Sequence, residues 1–312
     1  FPETTAAAAV EAGIRAAIGM VVIDFPNRWA ATPAEHLRLG LQLHDQHVSS
    51  PLISTQFAPH STYTVSDEWL QQVSTLAEEL DVPITTHLQE NPAEVEQSVA
   101  RFGMRPLERA SQTGLLSPRF QAVHATQLLE GEIETLALHN ATVVHCPQSN
   151  MKLASGGCPV DQLIRAGVNV ALGTDGAASN NDLDMFGEMR TAAMLAKIVA
   201  GAPTALDAHS ALHLATLGGA RALGLEEEIG SLEVGKAADI TAVDLSGIAQ
   251  QPLYNPASQL LYTCNASQVS DVWVAGRAKL RDGQLIGLNT PDILQRAREL
   301  AALIAQGEPH ES

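Results

Sequence analysis

The chain has 312 residues, 45% of them apolar and 17% charged, and its formal net charge is −17. This is the composition of a folded globular protein with one large domain, or a large domain and a small one. It offers no apolar run long enough to span a bilayer, and so acidic a chain argues against a nucleic-acid backbone as partner. The segment Phe1-Pro2-Glu3-Thr4-Thr5 lacks the basic and apolar regions of a signal peptide. Three widely spread cysteines, Cys146, Cys158 and Cys264, read as free thiols in a reducing cytoplasm rather than as a disulfide framework.

Short β-rich apolar runs alternate with helical patterns. Gly19 to Asp24 reads as a buried strand. Thr32 reads as the N-cap of the helix that follows, with Pro33 in the first turn and Glu35 as capping-box partner, and this helix runs to about Gln46. Leu52 to Ala58 is the next strand. Ser66 is expected to cap a helix to Leu80, whose apolar face is Leu70, Val73, Leu76, Ala77 and Leu80. Pro83 to Leu88 is a strand, and residues 92–113 are helical with a break near Gly103 and Pro106. The alternation continues with strands at Gln121 to His124, Thr142 to His145 and Val168 to Gly173. Their helices are Glu130 to Asn140, Val160 to Ala166 and Leu183 to Val199. Six such units mean parallel strands with crossover helices in an α/β fold. A (β/α)₈ barrel of the TIM type requires more units than these. The rival is an open doubly wound sheet, but no GxGxxG opens any unit.

After about residue 225 the texture changes. Gly230 to Asp244 reads as a turn and a strand, and Val269 to Ala275 with Lys279 to Ile286 reads as a hairpin through Gly276 and Arg277. A helix from about Pro291 to Ala305 follows. The expected division is a barrel in residues 1–225 and a small β portion with a terminal helix in 226–312.

The polar residues fall where a parallel barrel keeps its chemistry, at the C-terminal ends of strands. In order they are His60, His87, His124, His145 and Asp175, each after an apolar β run. One such histidine would be unremarkable, but five ionisable groups on one rim are costly to explain as packing. In Thr85-Thr86-His87-Leu88-Gln89-Glu90, an imidazole suited to Zn²⁺ or Fe²⁺ precedes a carboxylate able to shuttle protons. In Leu172-Gly173-Thr174-Asp175-Gly176, a carboxylate leaves an apolar strand for a loop of small residues, where it reads as a metal ligand, a proton acceptor or a plain N-cap. Cys146, beside His145, reads as a buried thiol before it reads as a nucleophile or ligand. His44 and His47 read as solvent-facing, and His36, His139, His209, His213 and His310 receive no chemical role.

Together, Ala58-Pro-His60-Ser, His87-Leu-Gln-Glu90, His124, His145-Cys-Pro-Gln-Ser-Asn-Met-Lys-Leu153 and Gly173-Thr-Asp-Gly-Ala-Ala-Ser-Asn180 resemble the amidohydrolase superfamily. The similar branch is that of the 5′-methylthioadenosine/S-adenosylhomocysteine deaminases, and the likeness runs over about residues 1–288. The resemblance implies one divalent metal per subunit, usually zinc with iron an alternative, held by His87 and Asp175. It further implies Glu90 as the acid that protonates the purine ring nitrogen, His124 as the group that orients the attacking water, Asp175 as proton acceptor, and His60 at the substrate ribose. Glu90 and Asp175 would also contact the nucleoside, and such barrels often form homo-oligomers.

One departure is large. The family has an HxH pair after its first barrel strand, and these 312 residues contain none. The first strand here corresponds to the family's third. The expectation is therefore a barrel lacking its first two units, plus part of a small β-sandwich, in a chain that belongs to something longer. Two ligands make a poor zinc site, so weak metal binding by the chain alone is expected. Guanine deaminases and s-triazine chlorohydrolases would share the metal residues, and a binding protein built on an inactive barrel is the reading from another class. Arg28, at a strand end, is a candidate for sensing a substrate carboxylate or simply a surface arginine.

Overall fold

A computed structural model describes residues 1–305; His310 lies outside the described residues. Six strands form one parallel sheet: β1 (Ala16–Val22), β2 (Ile53–Pro59), β3 (Ile84–Leu88), β4 (Phe120–His124), β5 (Thr142–His145) and β6 (Asn169–Leu172). Their spatial order is their chain order. Every crossover therefore steps the same way, as in a barrel; a doubly wound sheet would reverse direction at a switch point.

The helices between the strands follow from capping and apolar spacing. Thr32 is extended and its hydroxyl accepts the Glu35 amide at 3.2 Å, while the Glu35 carboxylate accepts the Ala31 amide at 2.8 Å. That starts the helix Pro33–His47 as its sequence predicts. Gly40 on this helix lies against β1, where an added Cβ would come within 2.9 Å of the Met20 Cβ, so the close helix–strand approach depends on glycine. Ser66 departs from expectation. Its hydroxyl makes no cap bond to the helix Asp67–Leu80 and points instead to Asp24, at 3.4 Å. Asp67 and Glu68 supply negative charge to that first turn instead.

Alternation along the strands divides the sheet's two faces. Phe57, Ile84, Leu88, Phe120, Ala122, Val143 and Val170 belong to a core shared with the helices, including Leu70, Leu107, Leu136 and Leu163. The opposite face carries polar contacts such as Gln121 Nε2 to Gln56 Oε1, at 3.3 Å.

A second, antiparallel sheet has the order β10-β9-β8-β7, with β7 (Ile240–Val243), β8 (Val269–Val274), β9 (Arg277–Arg281) and β10 (Gln284–Leu285). Among the described residues it is one layer. Its turns differ from those the sequence predicts. Ala275 and Gly276 both have positive φ, of 48° and 75°, and form the first hairpin turn, so Arg277 pairs within the sheet opposite Val274. Asp282 and Gly283, with φ 49° and 73°, then turn what was expected to be one strand into two. The chain returns to the helices of the parallel sheet at Pro256–Thr263, where Leu261 is buried in the main core and Arg190 donates to the Leu261 and Cys264 carbonyls. Arg15, just before β1, meets Asp239 in a two-pronged ion pair at 2.8 and 3.1 Å. No helix among the described residues is long and apolar enough to cross a membrane.

Candidate active site

The C-terminal strand ends bring distant residues to one rim. His60 follows β2, and its carbonyl accepts a bond from His87 Nδ1 at 2.7 Å. A carbonyl only accepts, so Nδ1 carries the proton and Nε2 keeps its lone pair. His124 ends β4. By alternation with Phe120 and Ala122 it should face the helices, but its φ of 74° breaks the pleat. Its ring instead stacks on His87 at 5.4 Å, and His87 meets His60 edge-on at 5.2 Å. His124 Nδ1 lies 2.8 Å from Asn150 Oδ1, which again leaves Nε2 free. Burial lowers the His124 pKa and favours the neutral ring.

Asp175, also at positive φ (62°), follows β6. One of its oxygens, Oδ2, accepts Ser149 Oγ at 2.7 Å and Ser179 Oγ at 2.5 Å. Burial would raise its pKa, but the Ser179 and Ser149 hydroxyls, the Gly176 amide and nearby His124 outweigh that, and the carboxylate sits below its ordinary range. His87, His124 and Asp175 each offer a ligand atom, and these atoms lie within 4.8 Å of one another. Two imidazole lone pairs and a carboxylate oxygen, each held from behind by a hydrogen bond, form a donor set that fits zinc or iron(II). The two residues expected at a metal, His87 and Asp175, come together here, with His124 beside them.

Glu90 stands beside this cluster on a braced loop. The Glu94 carboxylate accepts the Gln89 amide at 3.0 Å and the Glu90 amide at 2.7 Å. Thr126 Oγ1 donates to the Glu90 carbonyl at 2.6 Å, and Ser155 Oγ to the Glu90 carboxylate at 3.2 Å. Ser149, Asn150, Ser155, Ser179 and Glu94 were not singled out from sequence. Three of them lie inside the runs that carry the family resemblance, which was the available signal.

Other expectations change. His145 does not join the cluster. It faces the helix side of the sheet, 1% exposed, with neither ring nitrogen bonded. Burial, then His124, pushes its pKa down to about 3. Cys146 is equally buried and its thiol is pushed far up, so it stays protonated and is no nucleophile. His44 is half-buried and bonds Thr55 at 2.7 Å rather than facing solvent. Arg28 is exposed, in a groove of about 550 Å³ along β1 with Phe1, Gly19, Val21 and Trp29, and none of the clustered residues lines that groove.

The His145 environment has a measurable consequence. The unfolded chain takes up a proton below the ordinary value of 6.5, while the native state resists it down to about 3. Stability should therefore fall as pH drops through this window, by about 1.4 kcal/mol per unit. His145→Leu removes the effect and the unbonded nitrogens together. In urea unfolding of the metal-free protein at pH 5 it should gain ~2 kcal/mol over the parent. Identical pH slopes for the two proteins would contradict the assignment.

A parallel β/α sheet whose strand ends gather imidazoles and a carboxylate has the ground plan of a hydrolytic metal centre. Comparison with known proteins agrees. The chain belongs to the amidohydrolase family, whose pattern matches residues 3–279. It is 48% identical over 299 residues to the 5-methylthioadenosine/S-adenosylhomocysteine deaminase of Teredinibacter turnerae, covering 96% of this chain and 68% of that protein. Against the enzyme of the same name from Syntrophobacter fumaroxidans it is 43% identical, covering 97% and 69%. A crystal structure of an adenosine deaminase from Xanthomonas campestris with bound zinc superposes with a TM-score of 0.97 at 51% identity, covering 98% of this chain and 70% of the other. Atrazine chlorohydrolase from Arthrobacter aurescens, complexed with zinc, superposes at 0.88 with 26% identity, covering 96% and 68%.

Proposed function

We propose that this chain carries the catalytic face of a hydrolytic deaminase acting on the adenine ring of 5′-methylthioadenosine and S-adenosylhomocysteine. The observation that carries the reading is the convergence of His87, His124 and Asp175, with Glu90 close enough to act on His124. The relatives that bear these substrates in their names support the choice of ring.

On this reading His87 Nε2 and the free Asp175 oxygen hold one divalent ion, zinc by donor type with iron(II) the alternative, and His124 Nε2 faces the same point. When bound, the ion supplies a water nucleophile near neutral pH. The chain's own residues do the rest. His124, neutral and fixed by Asn150, orients the attacking water. Asp175, kept ionised and oriented by the Ser149 and Ser179 hydroxyls, takes its proton. Glu90, steadied by Ser155, gives a proton to the ring nitrogen as the amino-bearing carbon becomes tetrahedral. The proton on Asp175 passes to the amino group; as ammonia leaves, the added hydroxyl becomes the ring carbonyl and its proton returns to Glu90, which restores the starting state. His60, exposed on the rim, is positioned to meet the ribose.

About a third of the length of the relatives lies beyond what this chain covers. We place further imidazole ligands and the first two strands of an eight-stranded barrel in that portion, so the 312-residue form should hold zinc more weakly than a full-length protein. We also take residues 1–225 as the barrel and 226–312 as part of a small β-sandwich unit with a terminal helix. The three free, buried cysteines favour a reducing compartment.

A triazine hydrolase is the second reading, favoured by closely similar backbones. The identity of 26% there, against 51% for the adenosine deaminase, argues for the first. Ammonia release should be measured on the zinc-loaded full-length protein with methylthioadenosine, S-adenosylhomocysteine, adenosine, guanine and a chlorotriazine. The expected result is turnover of the two thio-nucleosides above all others. Chloride release from the triazine alone, or ammonia from guanine alone, would overturn the assignment. Zinc binding without any turnover would point to the inactive binding protein.

A further inference from the structure

Glu188 lies on the helix Met185–Ala200, on the face that also buries Met189, Ala192 and Ala196. It is 0% exposed, and no lysine or arginine pairs with it among the described residues. A buried carboxylate without a cation is costly, and an apolar side chain would pack this helix face at less expense. Burial pushes its carboxyl up to about 7, against the pull of the two donors that it holds.

Those donors lie in two separate segments. Oε2 accepts the Gln148 amide at 3.2 Å, in the short helix Pro147–Lys152 after β5. Oε1 accepts Asn180 Nδ2 at 2.5 Å, in the short helix Ala177–Asn180 after β6. Each contact is next in sequence to a serine, Ser149 in one segment and Ser179 in the other. Both serines donate to the same oxygen of Asp175. Lys152 adds a second tie across the same gap, to the Ala178 carbonyl at 2.8 Å.

We infer that Glu188 is a positioning residue for the reaction. It clasps the segments after β5 and β6 at the separation at which Ser149 and Ser179 converge on Asp175 Oδ2, and so turns the other Asp175 oxygen toward His87 and His124. The inference rests on the assignment of Asp175 to the metal and to proton transfer. Glu188 touches neither substrate nor metal on this account; it acts through the two serines.

The test compares Glu188→Gln, the double variant S149A/S179A and the triple variant, using zinc and cobalt(II) affinity of the full-length protein, the cobalt visible spectrum, and kcat and KM with methylthioadenosine. Glu188→Gln keeps the volume but turns an amide donor toward one of the two N–H groups. It should weaken metal binding about tenfold, as loss of an outer partner does. It should lower kcat ~10- to 100-fold with KM changed less than about twofold. Its cobalt spectrum should shift toward that of the double variant. In the triple variant, Glu188→Gln should add less than about twofold to the loss of the double, because the path it acts through is already cut. A full additive loss, or parent-like metal affinity and spectrum in Glu188→Gln, would overturn the inference. Asn180→Ala releases one arm only and should give a smaller change in the same direction, and it serves as the test if Glu188→Gln does not fold; a parent-like Asn180→Ala then counts against the clasp. Metal readouts are independent of substrate, so an error in the assigned substrate would leave them intact. Failure of the parent itself to bind zinc or cobalt would overturn the metal assignment, which is a different result.

Discussion

Asp175→Asn should reduce deamination of methylthioadenosine by at least ~10³ in kcat and lower the zinc content of the purified full-length protein. The substitution keeps the shape and one acceptor oxygen but removes the charge. Ser149 and Ser179 both donate to Oδ2, so the amide that keeps these bonds presents its oxygen to them and leaves its nitrogen at the other position. A nitrogen with two hydrogens is neither a metal ligand nor a base. Metal analysis and steady-state kinetics on the same preparation check both halves. Activity within tenfold of the parent would show that the proton goes elsewhere.

Glu90→Gln should lose a similar amount of kcat, ~10²–10⁴, for a different reason. The amide still accepts from Ser155, and the loop is still held by Glu94 and Thr126, so the fold around it is kept. Only the transferable proton is gone. Zinc content should equal that of the parent and KM should move little, because the lost interaction belongs to the transition state. A variant that loses zinc along with activity would place Glu90 among the ligands rather than in proton transfer. The two substitutions thus separate metal holding from proton delivery.

Much of the frame was legible in the amino-acid sequence. The six strands and the rim residues His60, His87, Glu90, His124 and Asp175 follow from apolar runs ending in polar groups, because parallel strands buried beneath helices must be apolar until they emerge. What was not legible depends on backbone conformation at strand ends. His124 and His145 look alike in sequence, each closing an apolar β run. A positive φ turns His124 to the rim, while His145 keeps the pleat and is buried behind it. No spacing rule distinguishes them. The supports of Asp175 were hidden for another reason: Ser149, Ser179 and Glu188 come from three segments, and only the fold makes them neighbours. The second hairpin turn is hidden because the apolar residues on either side of Asp282-Gly283 suggest one longer strand, although the pair is a turn signal in itself.

His60 does two jobs with two parts of itself. Its carbonyl fixes the His87 tautomer, while its imidazole, bonded only to Thr64 among the described residues, stands exposed at the rim. Any residue at this position supplies the same carbonyl. On the proposed assignment, the side chain and with it the fit to a new substrate can be exchanged without unsettling the hydrogen bond that holds His87. A scaffold wired in this way lets specificity drift while its chemistry stays put.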